Sequence, residues 1–517
     1  MDRRAREADG PALIWANAQG ATRRFLFSDI ARLSAQLASA LVARGVRKGD
    51  RVLIMLPRIP EWQIAMVACL KLGAVAIPCI EMLTGKDLRY RIERAEPTCA
   101  IIRAQHHGKF EGLTGRIPTR LSLGTAPGWE EFDSVLGAGD ESYEPAEVSA
   151  EDPAILYFTS GSTGLPKGVL HASRAIYAWR GAAQTWLDLG PEDTIWCTAD
   201  VGWSKAGTSI LFGPWSQGAC AFFYDGPFDA RGRLGLIERF GVTVYCAPGT
   251  ELFRLVDEDI GAFDLSALRR TVTAGEALNP AVAERWRSAT GLDVAEAYGQ
   301  TESLMTVINP PGLPPRPGSM GVAAPGSEIA VIGPDGTRLA DGVEGDLAIL
   351  TPNPQLMLGY WGDQERTAQS YLDGPDGRWF VTGDRAKRDP DGYFYHLGRS
   401  DDIINSAGYR IGPSEVENAL LEHPAVFETA AIGVPDRERG EIVKAFVILR
   451  PGHDPGAELV AELQAHVKAA TAPYKYPRLI EFIDVLPRTP TGKIQRSELR
   501  RSEAARAASS TISGAGT

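Results

Sequence analysis

Helical and strand patterns alternate through roughly the first 300 residues, and this alternation constrains the fold more than any other feature. Apolar residues recur at helical spacing over 30–41, and the short apolar run 51–56 follows. A second helical pattern over 61–72 leads into the apolar run 74–78, and the same order returns over 234–297. Because helices that alternate with short apolar strands form βαβ units, we expect mainly parallel sheets flanked by helices.

The sequence changes character after residue 310. A turn region rich in proline and glycine covers 310–315, and short strand patterns separated by turn residues follow it. From Asp402 onward, a helix pattern that opens at Pro413 is followed by two strand patterns and a second helix pattern. We therefore predict a multi-domain α/β (α+β) protein with a β-rich subdomain and a small C-terminal α+β domain. The segment 501–517 is rich in Ala, Ser and Gly, and we expect a disordered tail there.

The charge balance excludes one broad class of function. The 517-residue chain carries 54 basic and 65 acidic residues, a net charge of −11, which argues against a nucleic-acid-binding protein with a broad basic face. An anionic ligand must therefore be held locally, by loop amides, helix N-termini and a few placed cations.

Cysteine usage and the apolar runs indicate the compartment. The six cysteines have no C-x-x-C spacing and lie mostly in apolar runs, so we expect free buried thiols in a reducing compartment. The charged N-terminus is not followed by an apolar segment of the signal-peptide type, and no apolar run approaches about 18 residues. We expect a cytoplasmic protein without integral membrane association.

One glycine- and hydroxyl-rich segment has the composition of a phosphate-binding loop. It directly follows the apolar strand pattern 154–158, which places backbone N–H groups, hydroxyls and one ammonium around a single point. It is not a Walker A loop, because Lys167 is followed by Gly168 and not by Ser or Thr. The alternative for such a composition is a flexible surface loop. The candidate phosphate ligands are Thr159, Ser160, Gly161, Ser162, Thr163, Gly164 and Lys167.

A second candidate site follows the predicted strand 294–297. Because ligands bind beyond the carboxyl ends of parallel strands, the next five residues lie where a site is expected. The Glu302 carboxylate beside the Thr301 hydroxyl suits a hydrated Mg²⁺ that bridges phosphates, and the alternative is a solvated surface acid. The five residues are Tyr298, Gly299, Gln300, Thr301 and Glu302.

Three polar segments in the rest of the chain add further candidates. Asp384 follows a strand pattern and a glycine, and its carboxylate suits the two hydroxyls of a ribose. The segment 398–410 contains two arginines and two adjacent acids at the predicted domain junction, and its alternative is a charged linker. Lys493 lies just before the tail, where a lysine is ordinarily a solvated surface group.

Taken in this order, the segments resemble the acyl-adenylate-forming (AMP-binding) enzymes, a superfamily that includes acyl-CoA synthetases, luciferases and nonribosomal peptide adenylation domains. Weaker similarity extends over 27–500, and 402–417 and 472–478 are most similar to medium-chain acyl-CoA synthetases. The segments that carry the resemblance are 157–168, 298–302, 382–384, 398–410 and 491–493. The family architecture implies an N-terminal domain over 1–397, a hinge over 398–401 and a mobile C-terminal domain over 402–500.

The resemblance implies a two-step ligase that uses ATP, Mg²⁺ and coenzyme A. A carboxylic acid attacks the α-phosphorus of ATP to give acyl-AMP and pyrophosphate, and the thiol of CoA then displaces AMP. Lys493 would bridge the carboxylate and the α-phosphate, while Glu302, beside Thr301, would bind Mg²⁺. The other nucleotide contacts that it implies are the phosphate loop with Lys167, the adenine wall Gly275, Glu276 and Ala277, the turn residues Tyr298, Gly299 and Gln300, and the ribose and phosphate ligands Asp384, Arg399 and Arg410.

The resemblance also implies a domain rotation between the two steps. The C-terminal domain turns about Asp401, which withdraws Lys493 from the site. The residues that would then contact CoA are Ala407, Gly408, Tyr409 and Arg439. A glycine at position 408 suits this place because a side chain would obstruct the path of the thiol.

The acyl pocket is expected to admit an acid larger than acetate. Acetyl-CoA synthetases have a tryptophan at the position of Gly299, and its absence from this chain would leave room for a longer acid. Trp203 would line the same pocket, or it would belong to the core. For Lys205 we expect exposure to solvent, the alternative being a pair with a polar group of the acid.

Two other functions stay open at this point. The chain could load a separate carrier protein instead of CoA, or it could be a non-catalytic nucleotide-binding regulator. A regulator of this kind would be expected to lose Lys493 or Glu302, and both are present. The sequence leaves the identity of the acid open among medium-chain, branched, aromatic and hydroxylated acids, and it does not decide between a monomer and a homodimer.

Overall fold

A computed structural model describes residues 2–159, 166–276, 278–399, 402, 404–406, 409–436, 438–488 and 494–513, with the backbone alone at 405, 410, 473 and 507–513. The chain divides into two compact units. The first comprises Met1–Glu328 and Leu350–Tyr371, and the second comprises Ile329–Ile349 and Leu372–Thr517. These limits differ from the domain boundaries expected from the sequence, which stay a prediction.

Short strands run through the whole of the described chain. In chain order they are β1 (Pro11–Asn17), β2 (Thr22–Leu26), β3 (Arg51–Met55), β4 (Val75–Pro78), β5 (Cys99–Arg103), β6 (Thr119–Leu123), β7 (Glu130–Glu131), β8 (Pro153–Thr159), β9 (Lys167–Ala172), β10 (Thr194–Cys197), β11 (Cys220–Asp225), β12 (Val244–Cys246), β13 (Arg270–Ala274), β14 (Val294–Gln300), β15 (Leu304–Ile308), β16 (Val322–Ala323), β17 (Ile329–Ile332), β18 (Gly345–Leu350), β19 (Gly359–Tyr360), β20 (Tyr371–Gly374), β21 (Gly377–Arg388), β22 (Phe394–Arg399), β23 (Ile404–Ser406), β24 (Tyr409–Ile411), β25 (Val426–Asp436), β26 (Gly440–Leu449) and β27 (Leu479–Phe482).

Helices separate these strands. They are α1 (Asp2–Glu7), α2 (Phe27–Ala43), α3 (Pro60–Leu72), α4 (Gly85–Ala95), α5 (Phe132–Gly137), α6 (Ser173–Ala178), α7 (Arg180–Thr185), α8 (Ser204–Ala206), which continues through the π-helical turn Gly207–Leu211 into α9 (Phe212–Gln217), α10 (Ala230–Phe240), α11 (Gly249–Leu255), α12 (Pro280–Thr290), α13 (Gln364–Gln369), α14 (Pro413–Leu421), α15 (Ala457–Ala470) and α16 (Arg496–Ser513).

Two large sheets build the first unit. One has the strand order β16-β15-β14-β13-β12-β10-β11-β1-β2, and its middle, from β14 to β1, is parallel. The other has the order β19-β9-β8-β4-β3-β5-β6-β7 and is parallel from β8 to β7. The mainly parallel α/β architecture expected from the alternating patterns is therefore confirmed.

One continuous apolar core joins the two sheets of the first unit. The strands β3 and β4 are buried almost throughout, as expected for parallel strands covered on both faces. The helix α3 is buried on nearly every side, because its sequence is apolar around its whole circumference. Side chains from α2, α3, β8 and β10 belong to the same cluster, with Trp62, Trp179 and Trp186 among its largest members.

The second unit contains two smaller sheets. One has the order β17-β18-β21-β20, with β22 paired to β21, and this is the β-rich part expected after residue 310. The other has the order β24-β23-β26-β25, with β27 paired to β26, and it carries α14 and α15. Val416, Leu420, Val443 and Leu463 form its core together with neighbouring aliphatic residues. A small α+β part near the C-terminus was the expectation, and it is confirmed.

The helix α16 includes residues that we expected in a disordered tail. It extends to Ser513, past the predicted start of the tail at Arg501. Its acidic and basic side chains bind residues of the C-terminal sheet: Arg506 lies 2.7 Å from Glu481, and Lys444 lies 2.7 Å from both Glu481 and Glu503. These tertiary ion pairs supply helix stability that composition alone does not reveal.

A buried ion pair anchors the start of α16. Arg496 donates three hydrogen bonds to the carboxylate of Glu417 on α14, at 3.1, 2.7 and 2.6 Å, and Glu417 also accepts the Ala431 N–H at 2.7 Å. One turn later, Arg500 donates to Asp402 at 2.5 Å. The first turns of α16 are thereby tied both to the core of the C-terminal sheet and to the residue that follows the predicted hinge Asp401.

Replacing Glu417 by Ala should lower the free energy of unfolding of the second unit by up to about 3–5 kcal/mol, because the largely enclosed Arg496 guanidinium then keeps only the more distant carboxylate of Asp402, 4.0 Å away. The matched control is Glu498→Ala, which removes the partner of the exposed Arg501 and should cost less than about 1 kcal/mol. Denaturant unfolding of the three proteins checks this. Equal losses for both variants would show that the Glu417 pair is not buried in solution.

Candidate functional site

The turn after β14 positions the acidic residue of the predicted metal site. The strand β14 is an antiparallel neighbour of β15, and the residues between them form a tight turn in which the Ser303 N–H donates to the Gln300 carbonyl oxygen at 3.2 Å. Leu304 closes the turn with φ of 54°, a left-handed conformation that is uncommon for a side chain of this kind. Glu302 therefore lies at the carboxyl end of a parallel strand, where ligand sites form in α/β sheets.

Glu302 is held by two residues from the other sheet of the first unit. Its Oε1 lies 2.5 Å from Nζ of Lys167 on β9, and the hydroxyl of Tyr360 on β19 donates to the same oxygen at 2.9 Å. The Lys167 ammonium also lies 3.0 Å from the Tyr360 hydroxyl. Burial alone would raise the pKa of Glu302, but Lys167 and Tyr360 outweigh burial and hold the pKa of this carboxyl below its ordinary value. Glu302 is thus an ionised carboxylate, only 7% exposed, at neutral pH.

Thr301 is held separately from Glu302. Its hydroxyl lies 3.2 Å from the Ser204 hydroxyl, and its carbonyl oxygen lies 2.6 Å from Nε2 of His171. The backbone oxygen of Glu302 accepts the Met357 N–H at 2.8 Å. Three segments far apart in sequence therefore fix one turn. The sequence singled out Lys167, Thr301 and Glu302, but it did not point to Tyr360, Ser204 or His171, because no local pattern surrounds them.

The glycine-rich segment predicted to bind phosphate is flanked in sequence by two paired strands. The strands β8 and β9 are antiparallel, and Thr159 pairs with Lys167 at their ends. The Thr159 hydroxyl is buried and has no hydrogen-bond partner among the described residues. The strand predicted before this loop is confirmed, and the chain continues into a second strand after it. The candidates Ser160, Gly161, Ser162, Thr163 and Gly164 lie outside the described residues.

The segment predicted to form the adenine wall follows β13. Gly275 has φ of 97°, and the Glu276 carboxylate accepts the Thr250 N–H at 2.6 Å. Glu296 on β14 accepts the Leu278 N–H at 3.0 Å and so anchors the far side of this loop. Desolvation raises the pKa of Glu296 to about 8, and the one backbone hydrogen bond only partly offsets it. Ala277 lies outside the described residues.

The raised pKa of Glu296 predicts a pH-dependent stability. Between about pH 4.5 and 8, the folded protein keeps a proton on this carboxyl that the unfolded chain has lost, so the free energy of unfolding should fall as the pH rises. Glu296→Gln removes this dependence, and its stability relative to the parent should increase by up to about 1.4 kcal/mol per pH unit in that window. Denaturant unfolding from pH 5 to 9 measures it. Parallel curves for the two proteins would contradict a protonated Glu296.

Gly299 has a packing reason to be a glycine that the sequence did not reveal. It lies opposite Met305 across an irregularity in the β14–β15 pairing. A Cβ at this position would lie 1.8 Å from the carbonyl oxygen of Leu304, so the β15 backbone occupies the space of a side chain. A Cβ at position 299 would be directed at the backbone of the turn, so packing alone accounts for this glycine, and the role of Gly299 in the acyl pocket stays a prediction. The glycine permits the close approach of the two strands.

Gly299→Ala should consequently destabilise the protein by about 1–3 kcal/mol, since one methyl group must displace the Leu304 backbone. Gly181→Ala is the control, because a Cβ at Gly181 on α7 meets no atom within 4 Å. Thermal unfolding and the activity on acids of increasing length should be measured together. If Gly299→Ala kept full stability and lost activity only on the longer acids, Gly299 would line the acyl pocket as the sequence suggested.

Lys205 does not face solvent, contrary to our expectation. Its residue is only 8% exposed, and its ammonium donates to the Ala274 carbonyl oxygen at 3.1 Å. It lies beside Cys246 and Cys197, which are neighbours on the parallel strands β12 and β10. Burial would lower the pKa of Lys205, but the two thiols and Glu276 outweigh it and raise this pKa. Lys205 therefore stays charged inside the first unit.

The Lys205 ammonium changes the chemistry of Cys246. Burial alone would raise the pKa of this thiol, but Cys197, Lys205 and Ser209 lower it to about 6. Like the other five cysteines, Cys246 is buried and free. Trp203, two residues before Lys205, packs against two of the apolar clusters of the first unit, and its indole Nε1 has no partner among the residues that the structure describes.

In the second unit, the two predicted ribose ligands are neighbours. Asp384 on β21 and Arg399 on β22 lie opposite each other in an antiparallel pair, with Oδ1 and Nη1 3.3 Å apart. His396 lies 3.5 Å from the same carboxylate oxygen, and the Asp384 side chain is only 5% exposed. The preceding Gly383 has φ of 74°. The structure therefore brings together Asp384 and Arg399, as the order of segments suggested.

The predicted CoA contacts in the second unit are partly described. Tyr409 on β24 is 52% exposed and stacks on Tyr474, with ring centroids 4.2 Å apart and planes at 19°. Arg439 is exposed, and its backbone N–H donates to Asp436 at 2.9 Å. Asp401, Ala407, Gly408 and Lys493 lie outside the described residues, and so does the side chain of Arg410.

The described residues fit a metal that is bound mainly by its substrate. They contain no cluster of three or more His, Cys, Asp or Glu side chains able to cage an ion. Glu302 and the Thr301 hydroxyl are hard oxygen donors of the kind Mg²⁺ takes alongside phosphate oxygens and waters.

Among the described residues, no helix is long and apolar enough to cross a membrane.

Family models match nearly the whole chain. The AMP-binding enzyme family covers residues 2–361, and the AMP-binding enzyme C-terminal domain covers residues 415–493. The chain is 40% identical to the acyl-coenzyme A synthetase ACSM5, mitochondrial, of Homo sapiens, over 95% of this chain and 86% of the relative. It is 41% identical to an uncharacterized acyl-CoA ligase, YtcI, of Bacillus subtilis, over 95% of this chain and 93% of the relative.

Solved structures of acyl-CoA ligases share the fold. The anthranilate CoA ligase AuaEII in complex with anthranoyl-AMP is 31% identical, with a TM-score of 0.89 over 98% of this chain and 97% of that one. An acyl-CoA synthetase of Brucella canis is 34% identical, with a TM-score of 0.73 over 98% and 93% of the two chains. The resemblance inferred from the sequence is confirmed: the chain belongs to the AMP-binding enzyme family and, within it, to the AMP-forming acyl-CoA synthetases.

Proposed function

We propose that this enzyme joins a carboxylic acid larger than acetate to coenzyme A in two steps. In the first, an oxygen of the carboxylate bonds to the α-phosphorus of ATP and pyrophosphate leaves. In the second, the sulfur of CoA bonds to the acyl carbon, AMP leaves and the thiol proton is released. The observation that carries the proposal is the Lys167–Glu302–Tyr360 cluster beside Thr301 at the carboxyl end of β14. An ionised carboxylate next to an ammonium at this end of the strand supports a site for a metal-bound triphosphate.

Glu302 and Thr301 would hold Mg²⁺, which neutralises charge on the ATP phosphates and favours departure of pyrophosphate. With an ion held by Glu302 and Thr301, Lys167 would be free to leave Glu302 and contact the phosphates. Thr159 and residues 160–164 would contribute hydroxyl and backbone N–H donors to the same phosphates. Tyr360 keeps Glu302 oriented through either arrangement.

The rest of the nucleotide would be recognised by separate segments. Asp384 would accept hydrogen bonds from both ribose hydroxyls, and Arg399, 3.3 Å from it, would face the ribose and its phosphate. Lys493 would bridge the two anions that react, with Arg410 as a further phosphate contact. The adenine wall would consist of Gly275, Glu276 and Ala277, and Tyr298, Gly299 and Gln300 would line the nucleotide site.

The acceptor would reach the acyl-adenylate after the C-terminal domain turns about Asp401. Ala407, Gly408 and Tyr409 would line the tunnel of the pantetheine arm, and Arg439 would bind a phosphate of CoA. The exposed stack of Tyr409 on Tyr474 supports this assignment, because paired aromatic faces suit a planar base or the apolar pantetheine arm. A carrier protein would present the same arm and is the alternative acceptor.

The acid itself is proposed only as a class. Trp203 lies among apolar side chains near the carboxyl ends of the strands of the first unit, which supports a medium-chain, branched or aromatic acid. The similar structures include a ligase of anthranilate and a benzoate CoA ligase of Burkholderia xenovorans, which favours aromatic acids within this class. We also keep a cytoplasmic location as a proposal, supported by six buried free thiols, although ACSM5 is named as mitochondrial.

Lys493→Ala should abolish most of the adenylation and spare the second step. Removing one positioned electrostatic group costs on the order of 100-fold or more in rate, and only the first step brings two anions together. Acid-dependent exchange between pyrophosphate and ATP measures the first step, and acyl-CoA formed from supplied acyl-AMP measures the second.

Gly408→Leu is the matched counterpart of Lys493→Ala, because it should block the acceptor and leave the exchange reaction intact. Equal losses of both steps in both variants would contradict the assignment of the two residues to different steps. Absence of any exchange by the parent enzyme over a panel of acids would contradict the proposed function itself.

A further inference from the structure

His171 is a fully buried imidazole that contacts the metal-site turn. It lies on β9, opposite Ile155 of β8, and is 0% exposed. Its Nε2 lies 2.6 Å from the carbonyl oxygen of Thr301. A carbonyl oxygen only accepts hydrogen bonds, so Nε2 must carry the proton and donate it. In the neutral ring Nδ1 then carries no proton, and it has no hydrogen-bond partner among the described residues.

The surroundings keep this imidazole neutral. Tyr157 and Trp179 present their rings at steep angles to it, with centroids 6.3 and 5.3 Å away. Burial, helped by the charge of Arg174, outweighs the hydrogen bond to Thr301 and the Glu302 carboxylate and lowers the pKa of His171 to about 4. A neutral ring has one donor, and in His171 that donor is used for one contact, with Thr301.

The contact joins the two sheets of the first unit at the point where the candidate site lies. His171 belongs to the sheet of β8 and β9, and Thr301 belongs to the turn between β14 and β15 of the other sheet. The same strand β9 carries Lys167, which pairs with Glu302. One strand thus reaches the turn twice, with an ammonium on the carboxylate and an N–H on the backbone next to it.

The turn depends on outside contacts because its own conformation is strained. Leu304 has φ of 54°, and Gly299 touches the backbone of the opposing strand. A strained turn persists only when its surroundings over-determine it. The bond from His171 to Thr301 and the bond from the Met357 N–H to the Glu302 oxygen, at 2.8 Å, are the backbone contacts that supply this constraint from outside the turn.

We propose that His171 is a positioning residue of the adenylation step: its Nε2–H fixes the Thr301 peptide so that the Thr301 hydroxyl and the Glu302 carboxylate face a metal-bound triphosphate. The proposal rests on the function proposed above. It does not give His171 a proton to transfer, because the ring touches the carbonyl and no reacting atom. Loss of this bond should let the turn relax, and a misplacement of about 1 Å at a reacting group costs on the order of 100-fold in rate.

Two amide variants separate hydrogen bonding from packing. The Gln side chain in His171→Gln brings an N–H close to the position of Nε2, whereas the shorter Asn in His171→Asn brings it only as far as Nδ1. Both variants introduce the same polar group into the same buried place, so they differ chiefly in whether Thr301 keeps its donor. Trp179→Phe is the packing control, because it loosens the wall beside His171 and leaves the bond to Thr301 in place.

Each protein should be assayed for pyrophosphate–ATP exchange as a function of Mg²⁺ concentration, for acyl transfer from supplied acyl-AMP, and by calorimetry for binding of MgATP without acid. We expect His171→Asn to lower kcat of exchange by roughly 10- to 100-fold, to raise the Mg²⁺ concentration for half-maximal rate and to weaken MgATP binding, with KM for the acid and the second step preserved. His171→Gln should restore most of the loss. Trp179→Phe should lower Tm without changing the Mg²⁺ dependence.

The proposal is overturned if His171→Asn and His171→Gln behave alike, or if Trp179→Phe shifts the Mg²⁺ dependence as much as His171→Asn does. Equal loss of both chemical steps in His171→Asn would also overturn it, since that pattern indicates general damage to the fold. The calorimetric measurement is independent of turnover. If the parent enzyme adenylated no acid, the proposed function would fail, while MgATP binding by the variants would still decide whether His171 positions the turn.

Discussion

The placement of Glu302 depends on an electrostatic constraint: a carboxylate enclosed between two sheets needs a cation and hydrogen bonds to stay ionised. Lys167 and Tyr360 meet this need, and both come from the sheet that does not carry Glu302. The two sheets must therefore pack in one relative arrangement, in which Lys167 and Tyr360 reach Glu302. The shared apolar core, with Trp62 and Trp179 inside it, supplies the free energy for that packing, and the Lys167–Glu302 pair makes it specific.

The second unit also contains an enclosed carboxylate that a cation neutralises. Glu417 of α14 packs against the C-terminal sheet, and Arg496 of α16 neutralises it with three hydrogen bonds. Arg500 of the same helix holds Asp402, the residue after the predicted hinge. The helix that follows Lys493 in sequence is thus fixed both to the core of the C-terminal sheet and to the residue beside the predicted hinge.

Spacing and local chemistry allow some residues of the candidate site to be predicted from the sequence, whereas other residues of the site cannot be predicted in this way. Glu302 and Thr301 follow a strand pattern, and Asp384 and Arg399 occur in segments of known order, so the sequence singles them out. Tyr360 contacts Glu302, which is 58 residues away in sequence, and His171 contacts Thr301, which is 130 residues away. No local sequence pattern marks Tyr360 or His171. The prediction for Gly299 rests on the family resemblance, and the prediction for Lys205 rests on its position two residues after Trp203 in the sequence. The structure shows that the Lys205 ammonium is buried beside two thiols, and that the backbones of β14 and β15 lie too close at Gly299 to admit a Cβ.

The sequence by itself determined the alternating α/β architecture, the family and the types of residue in the site. Periodicity of apolar residues is a local property, and motif spacing preserves the order in which site segments occur along the chain. Only the tertiary structure decided which residues complete the site and why Gly299 must be a glycine. These depend on contacts between strands of different sheets, and such contacts are set by packing of whole layers. Only the folded structure decided three charge states, because no local sequence specifies burial or distant partners: burial dominates the pKa values of Glu296 and His171, whereas Lys167 and Tyr360 outweigh burial at Glu302.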